Sequence, residues 1–179
     1  MNTKEVVKPA VVLLIIASVA AAALGFVQSI TAEPIKMQEE KTRAESMQAV
    51  MPEASSFEQL TDIELAESVD SVFKADNGGF VVITTPGGFG GAVYTMVGID
   101  ADGVITGLRV TKHAETPGLG AKATEPDFYE QFTGKSGSVA VTKDGGEIVP
   151  ITSSTITSRA VADGATTALE WFAENGGAY

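Results

Sequence analysis

From Pro9 to Thr31 no residue carries a charge, and most positions are aliphatic or small. At about 1.5 Å per residue, a helix of that length covers the roughly 30 Å hydrocarbon core of a bilayer. Lys4, Lys8 and the α-amino group outweigh Glu5 ahead of the run, and Glu33 is the first charge after it. The positive-inside rule then places the N-terminus in the cytoplasm and the remainder of the chain on the extracytoplasmic side. A cleaved signal peptide is the rival, because Ala20 to Ala23 offer small residues at which a peptidase could cut. The apolar stretch continues past that point through Leu24, Phe26 and Val27, with no cysteine to carry a lipid. An anchor over residues 1–31 is the expectation.

The pattern changes at Ala32. Good helix formers such as Met37, Gln38, Glu39, Glu40, Lys41, Ala44 and Glu45 run to Met51, with Pro34 near the start and Pro52 at the stop, which predicts a helical stalk over 32–52. Residues 53–179 read as a domain. Ser68 to Lys74 and Phe80 to Thr85 have strand character around the turn Asp76-Asn77-Gly78-Gly79. Val93, Thr95, Val97 and Ile99 alternate with their neighbours, Asp100 to Gly103 form a turn, and Val104, Thr106, Leu108 and Val110 alternate again. This second hairpin implies a sheet with one face in the core. The segment His113 to Gly120 is too rich in Pro and Gly for helix or strand. A short helix is expected over Pro126–Phe132, and two short strands, Ser138–Thr142 and Glu147–Val149, around Asp144-Gly145-Gly146. A last helix is expected over Thr157–Ala173, where Val161, Ala165, Ala168, Leu169 and Phe172 share a stripe. Strands followed by helices give an α+β class: one transmembrane helix and stalk, then an antiparallel sheet with flanking helices.

Composition narrows the chemistry. With 12 Lys+Arg against 23 Asp+Glu the net charge is −11, which argues against a nucleic-acid partner, since binding phosphates needs clustered cations. There are no cysteines and one histidine. Disulfides, thiolate metal sites, Cys-ligated clusters and cysteine nucleophiles are excluded, and no metal site is expected. If the protein moves electrons, it must use an organic cofactor. Its one membrane span holds no ionisable residue, so nothing in that span suggests an ion pathway.

Candidate chemistry gathers at Thr152-Ser153-Ser154-Thr155-Ile156-Thr157-Ser158-Arg159, where six of eight residues bear hydroxyls. It sits at the start of the last helix. Unpaired N–H groups and the helix dipole favour an anion there by about 0.3–1 kcal/mol, so the segment suits a phosphate. The plainer alternative is helix capping, for which one Ser or Thr is enough.

These residues resemble a known family. The segment ITSSTITSRAV is similar to the S-G-A-T-x-T-S flavinylation motif of the FMN-binding domain shared by the G subunit of Rnf complexes and the C subunit of the sodium-translocating NADH:quinone reductase. HAETPGLG, His113 to Gly120, resembles the H-x-E-T-P-G-L-G loop of the same family, and GGFGGAVYTMVGIDADGVITGLRV its Gly-rich strand pair. Two departures stand out. The motif's Gly-Ala is Ser153-Ser154 here, and the upstream acidic residue is absent, with Val149 and Pro150 in its region.

The resemblance implies FMN joined by a phosphoester to the hydroxyl of Thr155; the two departures leave Thr152 and Thr157 as alternative acceptors. It implies further FMN contacts from Glu115, Thr116, Gly118, Leu119, Ser154, Thr157 and Ser158, with Arg159 near the phosphate. A neutral hydroxyl needs a base or metal to act as a nucleophile, so the resemblance also implies a separate magnesium-dependent flavin transferase that takes FMN from FAD. The implied role is an electron relay without autonomous catalysis in an ion-translocating oxidoreductase of the cell membrane. Its partners would be other membrane and redox subunits, a second flavin-bearing subunit among them. The short soluble part favours the Rnf type, ferredoxin to NAD, over the quinone reductase. An anchored extracytoplasmic binding module without a redox role is the reading from a different class.

Overall fold

The computed structural model describes residues 3–61, 63 and 65–179. The α-amino group of Met1, part of the orientation argument, lies outside them. The chain divides into two compact units, one up to Thr42 and one from Arg43 to Tyr179.

The first unit is most of a single helix, α1, Thr3–Val50. Pro34, expected near the start of a separate stalk, lies inside it, as does Pro9. Each proline removes one backbone donor without ending the helix. Leu13, Leu14, Ile15, Ile16, Val19, Leu24 and Phe26 are all more than half exposed. Among the described residues this is the one helix long and apolar enough to cross a membrane, and it fits a single-pass anchor.

In the second unit, five strands form an antiparallel sheet in chain order: β1 (Phe57–Gln59), β2 (Val69–Ala75), β3 (Phe80–Thr84), β4 (Tyr94–Ile99) and β5 (Ile105–Lys112). Both expected hairpins are present. Asp100 closes the second, its Oδ1 accepting from the N–H groups of Asp102 at 3.0 Å and Val104 at 2.9 Å, which is the local bonding that suits Asp to turns. β1 had no alternation to announce it. On one face Val72, Phe80, Val82, Val97 and Leu108 pack against α3 (Thr155–Asn175) and against Phe128 and Phe132, the latter pair carried by α2 (Pro126–Tyr129) and the 3-10 turn Glu130–Phe132. The expected stripe of α3 is buried at Val161, Ala165, Ala168 and Leu169. Trp171, off that stripe, meets the Phe80 ring edge-on at 5.6 Å.

The sheet is buried on both faces, not one. Phe73, Val81, Ile83 and Met96 point the other way and pack with Met47, Val50, Met51 and Ala54 at the end of α1 and just beyond it. Two glycines paired across β4 and β5, Gly98 and Gly107, make the slot. A Cβ on Gly98 would sit 2.5 Å from the Val50 carbonyl oxygen, and one on Gly107 2.9 Å from the Val50 Cα. Thr106 Oγ1 donates to that same carbonyl at 2.6 Å, using an acceptor that the helix end leaves open.

The expected strands Ser138–Thr142 and Glu147–Val149 are not a hairpin. Val141 and Ile148 form an isolated parallel bridge, and a 3-10 turn, Thr142–Asp144, lies between them. The turn ends on Gly145 at φ 86°, a conformation open to glycine. Both bridge residues are buried, so the segment is held by the core instead of by a strand ladder.

Candidate functional site

α3 begins at Thr155 with Ser154 as its N-cap residue, and the Ser154 side chain makes no capping hydrogen bond. The first backbone donor inside the helix is Ser158, whose N–H reaches the Ser154 carbonyl at 3.0 Å. The N–H groups of Thr155, Ile156 and Thr157 therefore have no acceptor among the described residues. Six hydroxyl residues flank this start, yet none caps it in the usual way. All three N–H groups belong to residues lining a cavity of about 340 Å³, within the roughly 300–1,000 Å³ range of small-molecule sites.

The HAETPGLG loop forms the opposite wall, through Glu115, Thr116, Leu119 and Gly120. Glu115 joins the two segments. It is 6% exposed, and its Oε2 accepts from Thr157 Oγ1 at 2.7 Å while Oε1 accepts from the Gly90 N–H at 2.9 Å. Gly120 permits that approach, because a Cβ there would meet Glu115 and the Thr157 hydroxyl. His113 is a local brace, its Nδ1 accepting from the Glu115 N–H at 3.1 Å. The third wall is Phe89, from the Gly-rich segment ahead of β4 and 72% exposed. With Leu119 and Ile156, also exposed, it gives the mouth an apolar collar.

Of the expected site residues, Glu115, Thr116, Leu119, Ser154, Thr155 and Thr157 line this cavity. Gly118 and Ser158 do not. Gly118 takes a φ of 77° at the exposed bend of the loop. Ser158 is fully buried, its hydroxyl accepting from the Ile151 N–H and donating to the Ser154 carbonyl, both at 2.9 Å. Its oxygen is spent on holding the chain's entry into α3. Ser153 stands where the motif has Gly, and its φ is 63°. A left-handed residue costs about 1–2 kcal/mol without glycine, so the departure leaves a strained link immediately before the helix.

Arg159 does not face Thr155. Its guanidinium forks onto Asp144, with Nε to Oδ2 and Nη2 to Oδ1 both at 2.6 Å. That hydrogen bond holds the Asp144 carboxyl below its usual range and raises the Arg159 pKa, so both are charged at neutral pH. Lys143 approaches instead: its Nζ donates to Thr155 Oγ1 at 2.9 Å. Neither Lys143 nor Phe89 was singled out by the sequence. A lone aromatic between glycine pairs was a usable signal for Phe89; nothing local distinguished Lys143.

Residues 88–170 match the sequence profile of an FMN-binding domain, and residues 1–50 that of the RnfG N-terminal region. The chain is 33% identical to the G subunit of the ion-translocating oxidoreductase complex of Methanosarcina acetivorans, across 95% of this chain and 96% of that one. This chain belongs to the G-subunit family of ion-translocating oxidoreductase complexes. A second relative in that family, from Acetobacterium woodii, is the G subunit of a Na(+)-translocating ferredoxin:NAD(+) oxidoreductase complex, 38% identical over 95% of this chain and 93% of its own. The crystal structure of the C subunit of the Na(+)-translocating NADH-quinone reductase from Parabacteroides distasonis is similar with a TM-score of 0.48 and 26% identity, over 58% of this chain and 61% of that one.

Proposed function

We propose that this chain carries FMN covalently, by a phosphoester to Thr155, and relays electrons within a membrane-bound ion-translocating oxidoreductase of Rnf type, from ferredoxin to NAD. The observation that carries the reading is the coincidence of three unsatisfied N–H groups, Thr155 to Thr157, with a cavity walled by the HAETPGLG loop. A phosphodiester at Thr155 Oγ1 would place its single negative charge where those donors and the helix dipole favour it. Simple capping would use a Ser or Thr side chain on those same donors. The residues fit the group: an anion cradle at one end, an apolar collar of Phe89, Leu119 and Ile156 at the other, and a buried carboxylate with Thr116 for polar ring edges.

Bound there, FMN supplies one- or two-electron transfer. The chain's own residues do the rest. Thr155 fixes the cofactor against loss to the exterior, its helix start neutralises the phosphate, and Glu115 locks the two walls together. Residues 1–31 serve as anchor, the stalk follows to Thr42, and the FMN-binding domain, from Arg43 on, stands on the extracytoplasmic side, with the N-terminus cytoplasmic. The partners are the other membrane and redox subunits, including a second flavin-bearing subunit, and a flavin transferase during maturation.

The test is an intact mass of the full chain produced with its transferase. The expected result is an adduct of one FMN less one water, lost in Thr155→Ala. An unmodified mass from an active complex, or an adduct that survives T155A, would overturn the assignment.

A further inference from the structure

The geometry points to Lys143 as the cation that positions the Thr155 hydroxyl for flavin attachment and then pairs with the resulting phosphodiester. This inference rests on the Thr155 linkage proposed above and extends it to a residue twelve positions upstream. The ammonium of Lys143 donates to Thr155 Oγ1 at 2.9 Å, and among the described residues no carboxylate forms an ion pair with it. Its acidic neighbour Asp144 is occupied by the fork to Arg159. That fork does two things. It removes Arg159, the cation nearest in sequence, from competition for the phosphate, and it fastens the Thr142–Asp144 turn to the first turns of α3, which sets where Lys143 stands.

The attachment step balances as a phosphoryl transfer from FAD. The oxygen of Thr155 forms a new bond to the FMN-side phosphorus, the pyrophosphate P–O bond breaks, and AMP leaves. The hydroxyl proton passes to a base of the transferase. Lys143 donates into the oxygen's lone pair, so it does not take the proton; it fixes the hydroxyl's direction and offsets negative charge gathering on the phosphoryl oxygens. Afterwards the ester carries one negative charge beside one ammonium and three backbone donors.

The experiment uses the full chain in detergent with purified transferase, FAD and magnesium, comparing wild type with Lys143→Ala, Lys143→Gln, Lys143→Arg and Thr155→Ala. The initial rate of covalent flavin incorporation is expected to fall about tenfold in K143A and K143Q. K143R should restore most of it, with thermal melting unchanged throughout. In fully loaded protein the ³¹P resonance of the ester should shift in K143A. Wild-type rate and ³¹P position in K143A, with T155A unlabelled, would overturn the role of Lys143 and leave the linkage standing. A loss of melting temperature and rate together, unrelieved in K143R, would also overturn it, as a merely structural contact. Flavin retained in T155A would instead overturn the linkage on which both rest.

Discussion

Glu115 holds the site together at the scale of single residues. Among the described residues it is the one carboxylate with a buried side chain, and its two oxygens take donors from two separate segments, the Gly-rich loop at Gly90 and helix α3 at Thr157. Truncation removes both acceptors at once: it leaves the buried Thr157 hydroxyl without a partner, whereas the N–H of Gly90, an exposed residue, can turn to water. Such an orphaned group costs about 1–3 kcal/mol. Glu115→Ala is therefore expected to destabilise the domain by about 1–3 kcal/mol in urea denaturation, and Glu115→Gln by less, because its amide oxygen still accepts one of the two bonds. An E115A variant as stable as wild type would show that neither bond contributes. The sequence marked Glu115 through its motif, but not its manner of working: its partners lie 25 and 42 positions away. Lys143 escaped notice for a related reason. Only the 3-10 turn that replaces the expected hairpin brings it to Thr155, and the Val141–Ile148 bridge that anchors this turn is a product of burial, not of any local pattern.

Among the elements, the hairpins β2–β3 and β4–β5 were legible because alternation and Asp/Gly turns are local signals. The cover over the sheet's second face was not. Met47, Val50 and Met51 fall inside the expected stalk, and the alternation of β4 and β5 does not mark Gly98 and Gly107 as the residues that admit them. Paired across the ladder, the two glycines form a slot whose floor is backbone, filled by the Val50 main chain. Because the obstructing atoms on the other side are also backbone, a methyl group has nowhere to go. Gly107→Ala is expected to cost about 1–3 kcal/mol, seen as a lowered denaturation midpoint at unchanged slope. If the midpoint does not move, the end of α1 is packed more loosely than the 2.9 Å approach to Val50 implies.

For the whole molecule, the α+β class and the anchor were legible in the sequence, because a long uncharged run and strands followed by helices are coarse patterns that survive errors in single elements. The edge of the folded domain was expected at residue 53. The compact unit starts at Arg43. That difference has a practical side. The last turns of α1 are part of the globule in the energetic sense, since cutting at 53 would uncover Phe73, Val81, Ile83 and Met96 along the middle of the sheet. A secreted fragment beginning at residue 43 should stay monomeric in size-exclusion chromatography, whereas one beginning at 53 should aggregate or bind a hydrophobic dye. Equal behaviour of the two would mean that the second face does not need its lid. Anyone grafting this cofactor carrier onto another anchor must accordingly bring along a short length of the old one, because the place where the rod stops being membrane hardware and becomes hydrophobic core lies inside a helix whose backbone shows no seam.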